Sequence, residues 1–449
     1  MGDNRYSFFK IFFVCLISLS FFLGYYFREN AAGGGGEFYL ISWPIIQSFK
    51  SDFWLTLQNY TTVKHPDYQL PFSHIINAYL NPFTDNIKSF QLSTTVISFS
   101  IYFVFAFVLK KIYSNINNFD ILLTSSVLLL SPFFRTSAFW GKNENYGWLF
   151  FILALYFFFE IKKKLHSEQS NKDKLNVILF CFTSACALYA RQALFFLPIS
   201  YLLYLVVNKA NRNILLTSII SFSIFAIPGL ITVLPLGILE NTTLVNPGLF
   251  SWLVKPEHIL KNVPILLSFF GFYLLPILII ELFHSDFKSF FKKYFINFII
   301  ALLFFVLLAQ INLLEYLGNY KMSGGAVLKL NYLIAKNNYF LLLIFSSLGF
   351  SILIRLFRED IKNNLVILAP ILVVYGFPEF LYQEYVEPLI ILLFFLILKT
   401  NLHKLYFKNI SLSNFIFLSY FAVYLAGSIY FKHFAFSTFE EWEIFLNAQ

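Results

Sequence analysis

The sequence predicts an all-α polytopic membrane protein, and three observations support that prediction. Of its 449 residues, 58% are hydrophobic and only 13% are charged, whereas an average soluble domain is about 45–50% apolar and about 25% charged. The mean hydropathy is +0.68. The apolar residues also occur in runs too long for buried strands. Together these features exclude a soluble globular enzyme, a disordered chain, a collagen-like fibre and a coiled coil.

The apolar runs predict about eleven to thirteen transmembrane helices, because a bilayer core of about 30 Å takes about 20 helical residues. We expect them to form a single integral membrane domain, residues 1–449. The first run is long and further runs follow it, so we interpret it as an uncleaved first span rather than a signal peptide. The predicted spans are Phe8–Phe27, Ser93–Leu109, Ile121–Phe134, Gly147–Ile161, Asn176–Ala190, Ala193–Val207, Ile214–Leu239, Val263–Phe283, Phe295–Leu314, Tyr339–Ile354, Leu365–Phe377, Val386–Leu398 and Ser413–Phe431.

Basic residues predict the orientation of these spans. Most of the 33 Lys and Arg residues lie at alternate span ends, as in the cluster Lys162–Lys164. The positive-inside rule then places the N-terminus in the cytoplasm. The net charge of +9 is accordingly a topology signal, and we expect membrane lipids but no nucleic acid as partners. The outside segments are longer and hold most of the unusual polar residues, so we predict an extracytoplasmic functional face.

The first outside loop, residues 28–92, is predicted to contain two amphipathic helices at the membrane surface. The first follows the glycine run Gly33–Gly36, which we interpret as a hinge or a close approach of the backbone. We expect the apolar faces of both helices to pack against the helical bundle. These faces consist of Phe38, Ile41, Ile45 and Phe49 in the first helix, and of Ile75, Ile76, Tyr79, Leu80 and Phe83 in the second.

Two carboxylates of this loop are candidates for a general base. Glu37 lies where the glycine run meets the first surface helix, and Asp67 lies in a stretch bounded by two prolines. A single carboxylate that accepts a proton from an attacking hydroxyl is the minimum for an inverting sugar transfer. Lys64, His65 or Arg191 could stabilise a departing phosphate. For both carboxylates the alternative is a helix-start residue that interacts with the helix dipole.

Further polar residues near the predicted outer face are candidate ligand contacts. Arg191 lies at the turn between two spans, where its guanidinium could bind a lipid phosphate in bidentate fashion or extend to the membrane interface. Gln192 is a secondary phosphate contact. Glu379, Glu384 and Glu387 could bind acceptor hydroxyls, bind a divalent ion or pair with outside lysines.

The sequence predicts no cofactor. The three cysteines lie in apolar runs, which favours packing over a metal site or a disulfide. No dinucleotide motif or phosphate loop is present, and Gly33–Gly36 lacks the Lys and the Ser or Thr that such a loop requires. A dependence on divalent metal stays open.

Several patches, in this order, resemble integral-membrane glycosyltransferases of the GT-C type. More narrowly, they resemble the family that transfers glucose from dolichyl phosphate in an α-1,2 linkage. Gly36 stands where that family typically has an Asp, so the first acidic patch retains one carboxylate. The patches are Glu37-Phe38 with Pro44 and Gln47; Thr61-Thr62 to Pro71; Ser131-Pro132-Phe133-Phe134 with Phe139, Trp140 and Glu144; Ala190-Arg191-Gln192; and Gln383 to Pro388.

The resemblance implies transfer of a hexose, glucose by the narrower likeness, from a polyprenyl-phosphate donor to a lipid-linked or surface glycan with inversion. It implies that Glu144 is a second acidic site residue, whereas interfacial capping is its alternative role. Residues 93–210 would form the catalytic half. The spans of 211–449 would form a cavity for the lipid donor and acceptor.

The sequence also leaves other functions open. A lipid-linked oligosaccharide flippase or other transporter belongs to another class, although no internal repeat supports it. A glycan polymerase or ligase and a structural membrane subunit are further alternatives. The abundance of Phe, Ile, Asn and Lys favours a bacterial inner membrane, and the endoplasmic reticulum membrane is the location expected of a eukaryotic protein.

Overall fold

The computed structural model describes residues 2–31, 34–60, 70–166, 170–233, 256–310, 325–335, 340–378 and 381–434. Within these ranges all regular secondary structure is helical, which confirms the predicted all-α class. The chain forms two compact units, Met1–Ser251 and Trp252–Gln449.

The first unit consists of long apolar helices interrupted by short ones. A π-helical turn, Phe38–Ser42, joins α2 to α3, and 3₁₀ turns at Ser126–Leu130 and Gln192–Phe195 follow α7 and α10. The helices are α1 Gly2–Tyr26, α2 Gly35–Glu37, α3 Trp43–Ser51, α4 Phe53–Gln58, α5 Phe72–Leu80, α6 Ile87–Ile112, α7 Asn118–Ser125, α8 Pro132–Phe139, α9 Glu144–Lys162, α10 Asn171–Ala190, α11 Phe196–Val207 and α12 Arg212–Val233.

The second unit has its core around the helix Pro256–His284, α13, which is the most buried of the long apolar helices in the described part of the chain. At one end of α13 the buried carboxylate of Glu281 accepts a hydrogen bond from Lys293 at 3.0 Å and lies 3.5 Å from Arg355, which connects three helices. The helices are α13 Pro256–His284, α14 Phe287–Gln310, α15 Gly325–Ala335, α16 Phe340–Glu359, α17 Ile361–Gly376, α18 Glu387–Leu392, α19 Leu402–Lys408 and α20 Ile410–His433, with a 3₁₀ turn at Gln383–Tyr385 and a π-helical turn at Leu393–Ile397.

The described residues contain nine helices long and apolar enough to cross a membrane, or up to eleven if two bent pairs each count as one span. Two shorter apolar helices, Gln192–Val207 and Ile361–Gly376, complete the set. Every predicted span overlaps one of these helices or pairs, so the multi-pass class is confirmed. Residues 234–239, 311–314 and 339, which belong to three predicted spans, lie outside the described residues. The cytoplasmic placement of the N-terminus stays a prediction.

The predicted span Ile121–Phe134 is not a continuous helix. Asn118–Leu130 and Pro132–Phe139 are bent by 72°. Ser131 causes the break, since it leaves the helical conformation and its hydroxyl caps α8 by accepting from the backbone N–H of Phe134. Pro132 then occupies the first turn of the new helix, where a missing N–H costs nothing. The predicted span Val386–Leu398 similarly forms part of a pair bent by 87°.

The two predicted surface helices pack in opposite ways. In the first, Phe38, Ile45 and Phe49 are buried, as expected of its apolar face. In the second, α5, the expected packing is wrong for Tyr79 and Leu80, which are exposed, as is Phe83 beyond the end of the helix. Ile75 and Ile76 are half-buried, and the polar face of the helix is buried. A membrane explains this inversion, since an exposed apolar face is stable against lipid.

Helix α1 is connected to the bent pair α7–α8 by two ion pairs. Near its beginning, Lys10 lies 2.8 Å from Asp120. Beyond its end, the guanidinium of Arg135 binds both carboxylate oxygens of Glu29, at 2.8 and 2.5 Å. Arg135 also donates to the backbone oxygens of Ser20 and Leu129. We call the Glu29–Arg135 pair the α1–α8 ion pair.

Replacing Glu29 by Ala should destabilise the first unit strongly. Arg135 is 2% exposed, and removal of one partner from a buried ion pair costs about 3–5 kcal/mol because it leaves an uncompensated charge. Thermal unfolding of the purified protein in nanodiscs measures the effect. The control is Asp85→Asn, which breaks an exposed pair with Lys50 and should cost about 1 kcal/mol or less. Equal losses for the two variants would contradict this assignment.

Candidate functional site

Three residues that the sequence singled out, Glu37, Glu144 and Arg191, lie along one chain of charges in the first unit. Lys142 connects them. Its ammonium lies 2.9 Å from a carboxylate oxygen of Glu37 and 3.9 Å from one of Glu144. The guanidinium of Arg191 lies 3.5 Å from the same oxygen of Glu144. Opposite charges alternate along this set, which we call the charged quartet, and its formal charges sum to zero.

The Glu37 end of the charged quartet depends on glycines. A Cβ on Gly34 would lie 3.0 Å from the Thr136 side chain and 3.1 Å from that of Lys142. A Cβ on Gly35 would lie 3.2 Å from the ring of Trp140. The backbone therefore approaches α8 and the loop after it closely, which is one of the two roles predicted for the glycine run. Glu37 follows in the first turn of a helix, so its predicted helix-start role is also present.

The turn after α8 fixes Lys142. Gly141 has φ +60°, and a Cβ there would lie 2.5 Å from the ring of Phe90. This left-handed conformation reverses the chain and directs it towards α9. The backbone N–H of Lys142 donates to the carbonyl of Ser137 at 3.0 Å. The side chain of Lys142 is 5% exposed, so its charge lies among protein groups.

Glu144 and Arg191 form the buried end of the charged quartet. Glu144 opens α9, is 3% exposed and accepts a hydrogen bond from the hydroxyl of Ser137 at 3.3 Å. Arg191 ends α10, and its guanidinium lies 5.3 Å from the centre of the Trp148 ring, within cation–π range. Arg191 is 6% exposed. Its guanidinium is thus held by protein groups instead of extending to the surface.

Glu37 is the accessible end of the charged quartet. Its side chain is 39% exposed, whereas those of Lys142, Glu144 and Arg191 are each 6% exposed or less. A partly hydrated carboxylate beside a buried cation can accept a proton, and a buried cation can hold an anionic oxygen. The arrangement therefore combines a candidate base with candidate anion ligands.

The other candidates lie elsewhere in the chain. Asp67, Lys64, His65 and Glu379 lie outside the described residues. Gln192 follows Arg191 directly and begins the 3₁₀ turn before α11. Glu384 belongs to the second unit, in the 3₁₀ turn Gln383–Tyr385. The roles predicted for these residues stay predictions.

Sequence reasoning did not select Lys142, although the residue lies two positions before Glu144. In the sequence it is one lysine among many at a span end. The signal that distinguishes it is the preceding glycine, because a left-handed Gly141 allows a turn tight enough to direct the lysine inwards.

A second polar cluster lies in the second unit around Glu387, a residue that the sequence predicted at the start of a span. The carboxylate of Glu387 accepts hydrogen bonds from the hydroxyls of Tyr273 at 2.7 Å and Tyr424 at 2.6 Å. Gln383 donates to the hydroxyl of Tyr424 at 2.8 Å. Glu387 is 0% exposed. Tyr273 and Tyr424 both lie near the middle of long apolar helices, so this carboxylate interacts with residues deep within candidate spans.

Comparisons of the chain with known protein families, with characterised proteins and with solved structures give no match. The resemblance to GT-C glycosyltransferases therefore rests on the patches in the sequence. Within the described ranges, no three or more His, Cys, Asp or Glu side chains are grouped as metal ligands. Dependence on a divalent metal stays open.

Replacing Lys142 by Met should destabilise the first unit, because it removes the cation between two carboxylates. The loss should be smaller than the about 3–5 kcal/mol of an uncompensated buried charge, because Arg191 still lies 3.5 Å from Glu144. Glu144→Gln should also destabilise the first unit, and the loss in the double variant should be smaller than the sum of the two single losses. Thermal unfolding of the single and double variants forms the cycle. Strictly additive losses would show that Lys142 and Glu144 do not interact.

Proposed function

We propose that this protein is a glycosyltransferase that moves a hexose from a polyprenyl-phosphate donor to a hydroxyl of a lipid-linked or surface glycan. The observation that supports the proposal is the charged quartet, which holds an accessible carboxylate beside buried cations in a polytopic membrane protein. The proposed donor carries its sugar on a lipid in the bilayer instead of on a nucleotide, so the protein requires no nucleotide-binding site. The positive-inside pattern of the sequence favours reaction on the extracytoplasmic face of the membrane.

In the proposed reaction the acceptor hydroxyl oxygen attacks the anomeric carbon of the donor sugar. Glu37 takes the hydroxyl proton as the new glycosidic bond forms. The bond between the anomeric carbon and the phosphate oxygen breaks, and polyprenyl phosphate leaves with that electron pair. Attack from the face opposite the leaving group gives the inversion that the resemblance implies.

The ion pair between Glu37 and Lys142 gives the cation two roles in this reaction. Before the donor binds, Lys142 neutralises Glu37 at 2.9 Å. A donor phosphate competes with that carboxylate for the ammonium, and the competition frees Glu37 to accept a proton. Lys142 and Arg191 would then stabilise the negative charge that develops on the leaving phosphate. Arg191 can make two parallel contacts with phosphate oxygens because its guanidinium is planar.

Replacing Glu37 by Gln should lower the transfer rate by about 10²–10⁴-fold, the usual contribution of a positioned general base. Donor binding should persist, because Gln keeps the size of the side chain. Transfer from radiolabelled polyprenyl-phosphate hexoses by the purified protein measures the rate. The control is Glu160→Gln, which changes a carboxylate paired with the exposed Lys163 at the far end of α9. Unchanged transfer by Glu37→Gln would remove Glu37 from the mechanism.

A lipid-linked oligosaccharide flippase is the second candidate function, and Glu387 is the observation that favours it. Carboxylates that interact with mid-span residues are rare in membrane proteins overall. Where they occur, they often lie on transport pathways. Glu387 has two such contacts, with Tyr273 and Tyr424. A transporter would use this carboxylate directly, whereas the proposed glycosyltransferase reaction does not involve it.

Replacing Glu387 by Gln separates the two functions. The proposed glycosyltransferase should retain its rate of sugar transfer within a few-fold, since the amide can still accept a hydrogen bond from a tyrosine hydroxyl. The measurement is sugar transfer together with translocation of a fluorescent polyprenyl-diphosphate oligosaccharide across proteoliposomes. The flippase would be favoured by three results together: the wild-type protein translocates the lipid, Glu387→Gln abolishes that translocation, and the wild-type protein transfers sugar from no donor.

A further inference from the structure

Helix α5 presents its polar face to the protein interior. Ser73, His74 and Asn77 are each 1% exposed or less, whereas Tyr79 and Leu80 are 52% and 76% exposed. A surface helix normally buries its apolar face and leaves its polar face in water. Lipid explains why the apolar face is outside, but it does not explain why polar side chains lie inside, where each requires a partner.

Ser73 and Asn77 each have a buried polar atom with no hydrogen-bond partner in the described part of the chain. Among the residues that the structure describes, the hydroxyl of Ser73 and the amide nitrogen of Asn77 make no hydrogen bond. The two residues are four positions apart, so they lie on the same face of the helix, one turn from each other. Buried polar groups in native proteins are nearly always satisfied, so two neighbouring exceptions point to a ligand or to water.

Turning the Asn77 amide over would still leave one of its polar atoms without a hydrogen-bond partner among the described residues. The hydroxyl of Tyr146 lies 2.5 Å from the amide oxygen of Asn77 and donates to it. If the amide were turned over, its nitrogen would donate to Tyr146 and its oxygen would lose its partner instead. One half of this amide therefore stays available in either orientation.

Neighbouring side chains make the buried face of α5 rigid. The hydroxyl of Tyr60 lies 3.0 Å from Nδ1 of His74. The ring of Phe72 packs against those of Phe150 and Tyr189, at 6.0 and 5.9 Å between ring centres. Tyr146 lies in the first turn of α9, as Glu144 does. The available polar atoms are therefore fixed next to the segment that carries the charged quartet.

The chemistry of these atoms selects a neutral ligand rich in hydroxyl groups. A serine hydroxyl can donate and accept, and an amide nitrogen donates. Neither group carries a charge, so they complement a sugar better than they complement a phosphate. We propose that Ser73 and Asn77 form a hexose-binding subsite beside the charged quartet. This inference rests on the proposed function and states where the sugar ring binds.

The test compares lipids that differ only in the sugar that they carry. Purified full-length protein in nanodiscs is titrated with polyprenyl-phosphate glucose, its mannose and galactose counterparts, and polyprenyl phosphate without sugar. Ser73→Ala and Asn77→Leu should each weaken binding of the preferred sugar lipid by roughly threefold to tenfold, the usual effect of one lost hydrogen bond. Binding of bare polyprenyl phosphate should not change. A parallel titration with a polyprenyl-diphosphate oligosaccharide shows whether the subsite holds the donor sugar or the acceptor sugar.

The matched control is Ser125→Ala. Ser125 is equally buried, its hydroxyl has no hydrogen-bond partner among the described residues, and it is the last residue of α7. This variant should bind every lipid as the wild type does. Thermal unfolding without ligand provides a second measurement, because removal of an unsatisfied hydroxyl in Ser73→Ala should leave the melting temperature unchanged or raise it.

Two results would overturn the proposed subsite, and they differ in what they mean for the proposed function. Suppose that the wild type transfers sugar while Ser73→Ala and Asn77→Leu bind both the polyprenyl-phosphate sugars and the polyprenyl-diphosphate oligosaccharide normally. The polar atoms of Ser73 and Asn77 then hold only water, and the subsite is wrong. If the wild type neither transfers any of these sugars nor prefers a sugar lipid to bare polyprenyl phosphate, both the proposed function and the subsite fail.

Discussion

The α1–α8 ion pair is the interaction on which the rest of the first unit depends. Arg135 binds both oxygens of Glu29 and lies over the rings of Phe21 and Phe139, within 6 Å of their centres. The carbonyl of Glu29 in turn accepts from the ring N–H of Trp140 at 3.0 Å. These bonds hold the beginning of the first loop against the bent pair. Glu37 and Lys142 follow these two anchored segments, so their separation is set by a contact outside the charged quartet.

The sequence predicted the helices because their signal is local. Each predicted span depends only on a continuous run of apolar residues, and every one overlaps a helix or a bent pair. The break at Ser131 was not predicted, although a serine followed by proline is a strong helix start. Hydropathy is averaged over a window of residues, so a single helix-capping residue such as Ser131 does not change it enough to indicate a break.

The candidate site was predictable only in part, because its contacts join distant segments. Glu37 was selected at the junction of the glycine run and the first predicted surface helix, whereas Glu144 and Arg191 were selected at predicted outer span ends. The structure brings the three into one set. Lys142 was missed because nothing in its sequence neighbourhood shows that its partners are 105 residues away at Glu37 and two residues away at Glu144. The inverted packing of α5 was missed for a similar reason. The periodicity of a helix shows that it has two faces, but the surroundings decide which face is buried.

The long separation within the α1–α8 ion pair has a consequence for assembly. Glu29 and Arg135 are 106 residues apart, and Lys10 and Asp120 are 110 residues apart. Since synthesis proceeds from the N-terminus, α1 exists before either of its ionic partners on the bent pair. It must therefore reside in the membrane by virtue of its own apolar surface, as independently stable helices do before they associate. The ion pair can close only after the bent pair has been made, and at that point α9–α12 of the first unit are still to be synthesised.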